Sequence, residues 1–262
     1  MKPFVKWQGG KRRELKHIRE FIPDGTPIIA EPFAGGAAVS FDFEGIAHLN
    51  DINSRLINLY NVVAEPSNFQ RLLKDIAALK VSTQHELERR YYEARAYLNQ
   101  DQAFDDPYLR ALAFLILRQQ CFSGMERYNS RGEFNVPWGR YKSFSCCLDE
   151  GHQRFLQAST ITNIDACDFL DTLPAETFVF VDPPYLDRAG YEKKDGGFEL
   201  HSSLAAKLKS LDLPFLLIHS DHEFYRLAYG DCNIREIPFR YSQQFNKGDY
   251  NAHVNHLYIT NY

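Results

Sequence analysis

The tetrapeptide Asp182-Pro183-Pro184-Tyr185 carries the clearest chemical signal in the sequence. It directly follows the apolar run at 178–181, which predicts a buried strand, and open α/β sheets bind ligands at the carboxyl ends of their strands. Because proline has a fixed φ and no N–H, the Asp182 carboxylate and the Pro183 carbonyl can both accept hydrogen bonds from one planar amino group. Tyr185 offers a flat face on which a base can stack. The alternative is a proline turn that only ends a strand.

Two segments nearer the N-terminus also follow predicted strands. The strand at 28–31 leads into the small-residue turn at 34–37, where a ligand can approach the backbone closely. No Gly-Lys-Ser/Thr follows this turn, so a triphosphate loop is not supported. Asp51 ends the second predicted strand, where an acid binds both ribose hydroxyls of a nucleoside cofactor. Asp51 could instead cap the next helix, although Asn53 is an equally good cap.

The segment Lys6-Trp7-Gln8-Gly9-Gly10-Lys11 places a tryptophan in a polar, glycine-rich setting. Such a setting is unusual for a core tryptophan. It indicates a ligand clamp in which Lys11 pairs with a carboxylate, and the alternative is an exposed N-terminal segment.

The elements that must position these residues follow an α/β rhythm at both ends of the chain. Strands alternate with helices in residues 1–60 and 155–262, which predicts one domain with a mainly parallel sheet. Residues 61–154 are predicted as a mainly helical insertion, because their apolar residues recur at a helical period. Within it, residues 121–142 show no clear period and are predicted as a long polar loop. The remaining strands are predicted at 46–49, 161–164, 178–181, 215–218, 234–238 and 257–260, and a helix at 202–211.

The order of these segments resembles that of the Dam-type DNA adenine-N6 methyltransferases of the alpha group. In that group the cofactor motifs precede an inserted recognition domain, and the catalytic tetrapeptide follows it. Residues 121–142, which include Arg127-Tyr128-Asn129, are similar to the recognition loop of enzymes that methylate adenine within GATC. The resemblance implies a Rossmann-like methyltransferase sheet, S-adenosylmethionine as cofactor and double-stranded DNA as partner. It implies no metal, and it allows a restriction-modification role beside a cognate nuclease.

The resemblance also assigns residues to roles. Lys11 would lie near the methionine carboxylate of the cofactor, Asp51 would hold the ribose, and the Asp168-Phe169 pair would bind the cofactor adenine. The full cofactor set is Trp7, Lys11, Phe33, Gly35, Asp51, Asp168, Phe169 and Asp182. Catalysis would rest on Asp182, Pro183 and Tyr185, after the target base is flipped out of the duplex. Ala37 stands where the family pattern ends in glycine.

In the recognition loop, the resemblance implies that Arg127 reads a guanine, which is the commonest specific contact in a major groove. Pro137 would lie against a thymine methyl group, and Phe122 would wedge into the duplex. Ser123 and Met125 occupy positions that usually hold Asn and Leu, which bears on the target sequence. The implied DNA-binding set is Phe122, Ser123, Met125, Arg127, Asn129 and Pro137.

Two other functions are compatible with the same residues. The acceptor could be cytosine N4 or a protein amide nitrogen, although the basic aromatic loop disfavours a protein. The chain could also be a DNA-binding module without catalysis, which the intact tetrapeptide disfavours. A cytosine-C5 enzyme is not supported, because such an enzyme typically has its nucleophilic cysteine after a proline and none of the five cysteines follows one.

Charge and composition fit a DNA-acting enzyme. The net charge is −4, yet residues 1–20 carry seven Lys/Arg against two acids, and residues 107–142 carry six against two. Two basic islands on an acidic background suit a protein that presents one face to a polyanion. The sequence predicts no membrane span, no signal peptide and a cytoplasmic location. Residues 187–203 are predicted as a lid, and 245–255 as a hairpin loop, and both are candidates for DNA contact.

Overall fold

The predicted strands assemble into a single sheet in the computed structural model, which describes residues 1–100, 106–186, 197–240 and 253–262. Each apolar run forms a strand close to its predicted bounds. The strands are Ile28–Glu31 (β1), Ile46–Asn50 (β2), Thr160–Thr162 (β3), Thr177–Val181 (β4), Phe215–Ser220 (β5), Asn233–Arg240 (β6) and His253–Thr260 (β7).

The sheet order is β3-β2-β1-β4-β5-β7-β6, and all neighbours from β3 to β5 are parallel. β7 pairs antiparallel with both β5 and β6. Every residue of β4 is buried, as expected for a central parallel strand covered on both faces. The strand order reverses between β1 and β4, so the carboxyl ends of these two strands flank the topological switch point. The predicted fold class, a methyltransferase-type α/β sheet, is confirmed.

Helices connect the strands and form the insertion. Several start where capping chemistry predicts: Asn53 caps α2 through two backbone N–H groups, and Thr83 with Glu86 forms a capping box at α4. The helices of the described residues are Leu15–Ile18 (α1), Ser54–Ala64 (α2), Pro66–Lys80 (α3), Gln84–Leu98 (α4), Pro107–Gln120 (α5), Glu150–Ala158 (α6), Ala166–Leu170 (α7), Gly197–Ser210 (α8) and Glu223–Ala228 (α9).

The helical insertion shares its core with one face of the sheet. A single cluster of buried side chains runs from Ile29 and Phe178 in the sheet to Leu72 and Leu115 in the insertion. The predicted boundaries at 61 and 154 fall inside α2 and α6 respectively. The division into two domains therefore stays a prediction, and its exact ends do not coincide with the ends of elements.

Residues 121–142 were predicted as a long irregular loop, and this prediction is wrong for the first part of the segment. Residues 121–139, here called the recognition hairpin, fold back on themselves through bridges between Cys121 and Trp138 and between Tyr128 and Phe134. Phe134, Val136 and Trp138 are buried while the residues between them are more exposed. This alternation is a strand period.

The predicted lid at 187–203 is also corrected in part. Residues 197–203 are the first half of α8, whose first turn packs the Phe198 ring against Phe224 of α9, a tertiary contact that the local sequence does not reveal. Residues 187–196 lie outside the described residues, as do residues 245–252 of the predicted hairpin loop, while 253–255 belong to β7. Among the described helices, none is long and apolar enough to span a bilayer.

Candidate active site

A cleft of about 1590 Å³ opens at the switch point of the sheet. It brings together most of the residues that the sequence predicted, from five separate parts of the chain. Its walls include Trp7, Lys11, Phe33, Gly35, Asp51, Asp182, Pro183, Tyr185, Ser123 and Arg127. The tetrapeptide after β4 and the glycine turn after β1 therefore share one cavity.

Trp7 packs directly on the glycine turn. A Cβ placed on Gly35 would meet the Trp7 indole at 2.6 Å, and Gly35 has a φ of +47°, which disfavours other residues. The guanidinium of the buried Arg118 lies 4.8 Å from the Trp7 ring, so the indole is held between the turn and the insertion. The N-terminal segment is thus a fixed wall of the cleft rather than an exposed tail.

Ala37 adopts a backbone conformation that favours glycine. Its φ is +50°, a left-handed value that costs a non-glycine residue roughly 1–2 kcal/mol. The Ala37 side chain is fully buried in the core and does not line the cleft. The methyl group of Ala37 therefore does not reach the surface of the cleft.

Two backbone N–H groups hold the carboxylate of Asp51 at the floor of the cleft. Its carboxylate accepts from the Gly35 N–H and from the Asn53 N–H, each at 2.9 Å. Asn53 caps α2, so the alternative that Asp51 is the helix cap is wrong. Burial raises the pKa of Asp51 to about 6, although the two N–H donors oppose this rise. Each oxygen retains acceptor capacity toward the cleft.

Glu31 is a second buried carboxylate at the cleft, and the sequence analysis did not select it. It ends β1, is 2% exposed and accepts from the Ser40 N–H at 2.7 Å. Burial raises the pKa of Glu31 to about 7, and the nearby charge of Asp182 adds to this rise. An acid at the end of an apolar strand, before a glycine turn, was the available signal.

Asp182 pairs with Lys11 across the cleft. The Lys11 ammonium lies 2.6 Å from the Asp182 carboxylate and 3.0 Å from the Gly9 carbonyl, which it also contacts. Burial raises the pKa of Asp182, and Lys11 opposes that rise. The same ammonium lies 5.1 Å from the centre of the Tyr185 ring. Lys11 therefore pairs with a carboxylate, as the residue pattern suggested, but this carboxylate belongs to the protein.

Buried polar groups from the distant end of the chain support Lys11 and Tyr185. Glu14 accepts from His256 at 2.7 Å and from the Tyr258 hydroxyl at 2.8 Å. Burial would raise the pKa of Glu14, but these two hydrogen bonds and Lys11 together hold it below its usual value. The His256 ring meets the Tyr185 ring edge-on. No local sequence pattern indicated this group, because Glu14 and His256 are 242 positions apart in the chain.

Asp168 and Phe169 are not brought to the cleft. Asp168 is exposed, Phe169 is fully buried, and the Phe169 N–H donates to the Asp165 carbonyl at 2.9 Å. The neighbouring wall of the cleft consists instead of Ile164, Asp165 and Ala166, where α7 begins. The assignment of the cofactor adenine to Asp168-Phe169 stays a prediction that this arrangement does not support.

The recognition hairpin borders the same cleft. Arg127 is exposed, and its guanidinium donates to the side chain and backbone oxygens of Asn135 at 2.7 and 3.1 Å. Asn129 holds the tip of the hairpin, where its side chain accepts from two backbone N–H groups and donates to Glu133 at 2.6 Å. Phe122 is 51% exposed and Pro137 is also exposed, so both are accessible to a partner.

Ser123 and Met125 are both partly exposed, but only Ser123 lines the cleft. Ser123 lines the cleft at the base of the hairpin with a φ of +55°. Met125 is only partly exposed and packs against the hydrophobic core of the insertion. The structure therefore leaves Met125 less available to a partner than Phe122, Arg127 and Pro137, which are exposed.

This sheet and cleft define the class of the protein, and comparison with known proteins defines the family. The profile of the D12 class N6 adenine-specific DNA methyltransferases matches residues 7–243. The type II methyltransferase M.CviBI of Paramecium bursaria Chlorella virus NC1A is 33% identical over the full length of both chains. The DNA adenine methylase of Escherichia coli (strain K12) is 37% identical, with 94% of this chain and 90% of that protein covered. The DNA adenine methylase of Haemophilus influenzae is 30% identical, over 92% and 87% of the two chains.

The chain belongs to the D12 class N6 adenine-specific DNA methyltransferases. It is an enzyme that methylates adenine in DNA. The two alternatives of a non-catalytic module and of a protein acceptor find no support in these relationships.

Proposed function

We propose that the enzyme uses S-adenosylmethionine to methylate N6 of a flipped-out adenine within GATC. The observation that carries the proposal is the shared cleft: Asp182, Pro183 and Tyr185 face the same cavity as Gly35 and Asp51. The turn that would bind the target amine and the turn that would bind the nucleoside of the cofactor therefore lie together at the switch point of one sheet.

The residues of the cleft fit this cofactor. Asp51 presents two anchored oxygens for a ribose diol, and Gly35 lets a ligand approach the backbone closely. The buried carboxylates of Glu31 and Asp182 suit a ligand that carries positive charge. When bound, S-adenosylmethionine supplies an electrophilic methyl group on a sulfonium.

Asp182, Pro183 and Tyr185 would hold the target base. Tyr185 would stack on the adenine, while the Asp182 carboxylate and the Pro183 carbonyl accept hydrogen bonds from the two hydrogens of N6. These bonds draw the nitrogen toward tetrahedral geometry and aim its lone pair into the cleft. The bond to Asp182 strengthens as positive charge develops on nitrogen. The raised pKa of Asp182 also makes its carboxylate a better acceptor for the proton that the amine must lose.

Lys11 must leave the Asp182 carboxylate before the target base can bind there. Its ammonium now contacts both Asp182 and the Tyr185 ring, where the proposal puts the target amino group. Transfer of Lys11 to the carboxylate of the cofactor would release Asp182 for the base. The flexible four-carbon stem of a lysine permits this exchange without movement of the short 3₁₀ turn Lys11–Arg13 that carries it.

The GATC assignment rests on the recognition hairpin. Asn135 orients the Arg127 guanidinium, which suits bidentate recognition of a guanine edge. Pro137 and Phe122 are exposed on the same hairpin, as expected for contact with a thymine methyl group and for a wedge. Two of the relatives carry the name DNA adenine methylase, which supports the reaction.

The test uses labelled S-adenosylmethionine with two duplexes of equal composition, one containing GATC and one with that site scrambled. We expect label in N6-methyladenine only with the first duplex. Asp182→Ala should reduce the rate by roughly 10²-fold or more, because it removes a group that binds developing charge. The matched control is Asp171→Ala, which removes an exposed carboxylate that pairs with Lys207. Equal labelling of both duplexes would refute GATC, and full activity of Asp182→Ala would refute its role.

A further inference from the structure

His219 lies directly behind the turn that carries Asp182 and Tyr185. It is fully buried near the end of β5, the strand beside β4. The Leu186 N–H donates to its Nε2 at 3.2 Å, so the imidazole bonds the backbone one residue after the tetrapeptide. Its ring also packs against Tyr185, with 4.5 Å between the ring centres. Both contacts fall on the one segment that must hold the target base.

The hydrogen bonds specify one tautomer of His219. Nδ1 lies 2.9 Å from the Ser220 carbonyl, which can only accept, so Nδ1 carries the proton. Nε2 is then the acceptor that the Leu186 N–H requires. Burial lowers the pKa of His219 to about 3, which keeps the ring neutral and the Nε2 lone pair available.

Two further aromatic groups hold the imidazole in place. The Tyr225 ring of α9 stacks on His219, with 4.0 Å between centres and 26° between planes. The Tyr225 hydroxyl bonds His201 Nδ1 at 2.5 Å, and His201 is itself hydrogen-bonded to the Pro184 backbone. Elements α8, α9 and β5 thus converge on the rear of the turn through neutral rings.

We infer that His219 is a positioning residue, which fixes the Tyr185 ring and the backbone after it for the amine-binding geometry. This inference rests on the proposed function, because it assumes that Tyr185 and Asp182 hold the target base. His219 does not line the cleft, so it acts only through the turn. A shift of about 1 Å in such a constellation can cost as much as 10²-fold in rate.

Two variants separate the effect of the Nε2 acceptor of His219 from the effect of its aromatic ring. His219→Phe keeps an aromatic ring between Tyr185 and Tyr225 but removes the acceptor for Leu186. His219→Gln keeps an amide oxygen that can reach the same N–H. The matched control is His152→Phe, because His152 is also buried and hydrogen-bonded, at 2.8 Å to the Lys2 carbonyl, but lies outside the cleft.

We expect His219→Phe to lower kcat roughly tenfold or more with little change in the cofactor Kd, and His219→Gln to recover part of the loss. His152→Phe should lower the melting temperature without this loss of kcat. The inference is overturned if His219→Phe keeps the wild-type kcat, or if the Phe and Gln variants are equally impaired.

A second measurement is independent of activity. Hydrogen exchange of the Leu186 amide should be slow in the wild type and in His219→Gln, and fast in His219→Phe. Slow exchange in all three proteins would overturn the inference. A wild type that methylates no GATC duplex would instead refute the proposed function and leave this exchange result intact.

Discussion

Three carboxylates reach the cleft from the ends of three neighbouring parallel strands, and their surroundings differ. Glu31 is the last residue of β1, Asp51 directly follows β2, and Asp182 directly follows β4. Asp51 is bound by two backbone N–H groups, Asp182 by an ammonium, and Glu31 by one backbone N–H. Burial raises the pKa of Glu31 to about 7 and that of Asp51 to about 6, because the hydrogen bonds that each carboxylate accepts only partly offset its loss of contact with water.

This arrangement predicts that the ligand-free protein loses stability as the pH rises. Burial raises the pKa of Glu31 from an ordinary 4.5 to about 7, so the folded state retains a proton that the unfolded chain releases. The folded state therefore binds more protons in this window, and its free energy of unfolding falls between those two values. Asp51, with a pKa near 6, contributes in the same direction.

Glu31→Gln should remove most of the Glu31 contribution. We expect the variant to unfold at a higher temperature than the wild type at pH 8 and at a similar temperature at pH 4.5, because glutamine cannot ionise. Glu44→Gln, a change of an exposed acid, is the control. Thermal unfolding across this pH range measures the effect, and parallel curves for wild type and Glu31→Gln would contradict it.

Some residues in and around the cleft could be predicted from the sequence, and others could not. Asp182 and Asp51 could be selected because each follows an apolar strand and belongs to a recognisable pattern. Glu14, His219 and His256 could not, because their role depends on which strands become neighbours. The antiparallel return of β7 beside β5 brings His256 next to Glu14, 242 positions away in the chain. No local pattern records that pairing.

At the scale of elements, buried strands with flanking turns were predicted most reliably. Every residue of β4 and β5 is buried and most are apolar, because both faces of a central parallel strand are covered. The recognition hairpin was missed because only alternate residues on its second arm are buried, and polar residues mask this short alternation. Backbone hydrogen bonds between its two arms, such as the one from the Phe122 N–H to the Pro137 carbonyl at 2.9 Å, hold its shape together with the side-chain bonds of Asn129 at its tip.

The contribution of the Asn129 hydrogen bonds to the hairpin tip can be tested by substitution. Asn129→Ala removes two acceptor bonds to backbone N–H groups and one donor bond to Glu133. Each such bond contributes about 0.5–1.5 kcal/mol to a fixed structure, so the tip should lose its order. We expect kcat/KM on GATC duplexes to fall roughly tenfold with an unchanged cofactor Kd, since the loss is confined to recognition.

Two further variants distinguish a role of Asn129 in the turn from a direct contact with DNA. The double variant Asn129→Asp/Glu133→Gln retains the acceptor for both backbone N–H groups and reverses the donor of the side-chain bond, so it should keep most of the activity if Asn129 acts through the turn. Ser130→Ala, an exposed neighbour, should behave as the wild type. If the double variant is as impaired as Asn129→Ala, the amide of Asn129 acts on DNA directly, as the family resemblance implied.

At the scale of the whole molecule, charge is sorted between the floor and the rim of the cleft. Buried carboxylates line the floor, where Glu31 and Asp51 lie. Exposed arginines line the rim, among them Arg12 and Arg13 from the N-terminal basic island and Arg127 from the hairpin. The floor suits a cationic methyl donor, and the rim suits a polyanion. A chain with a net charge of −4 can therefore present one cationic surface to DNA.

This sorting predicts how DNA binding depends on salt. Arg12 and Arg13 are exposed, and in the proposed complex they would contact phosphates, so each Arg→Ala change should weaken binding and reduce the salt slope by about one. Arg154→Ala provides the control, because Arg154 is equally exposed but pairs with Glu150 on α6, away from the cleft. Titrations of duplex DNA at several salt concentrations measure the slopes. A double variant Arg12→Ala/Arg13→Ala with the wild-type slope would show that DNA enters by another face, since phosphate contacts release counterions whatever the base sequence.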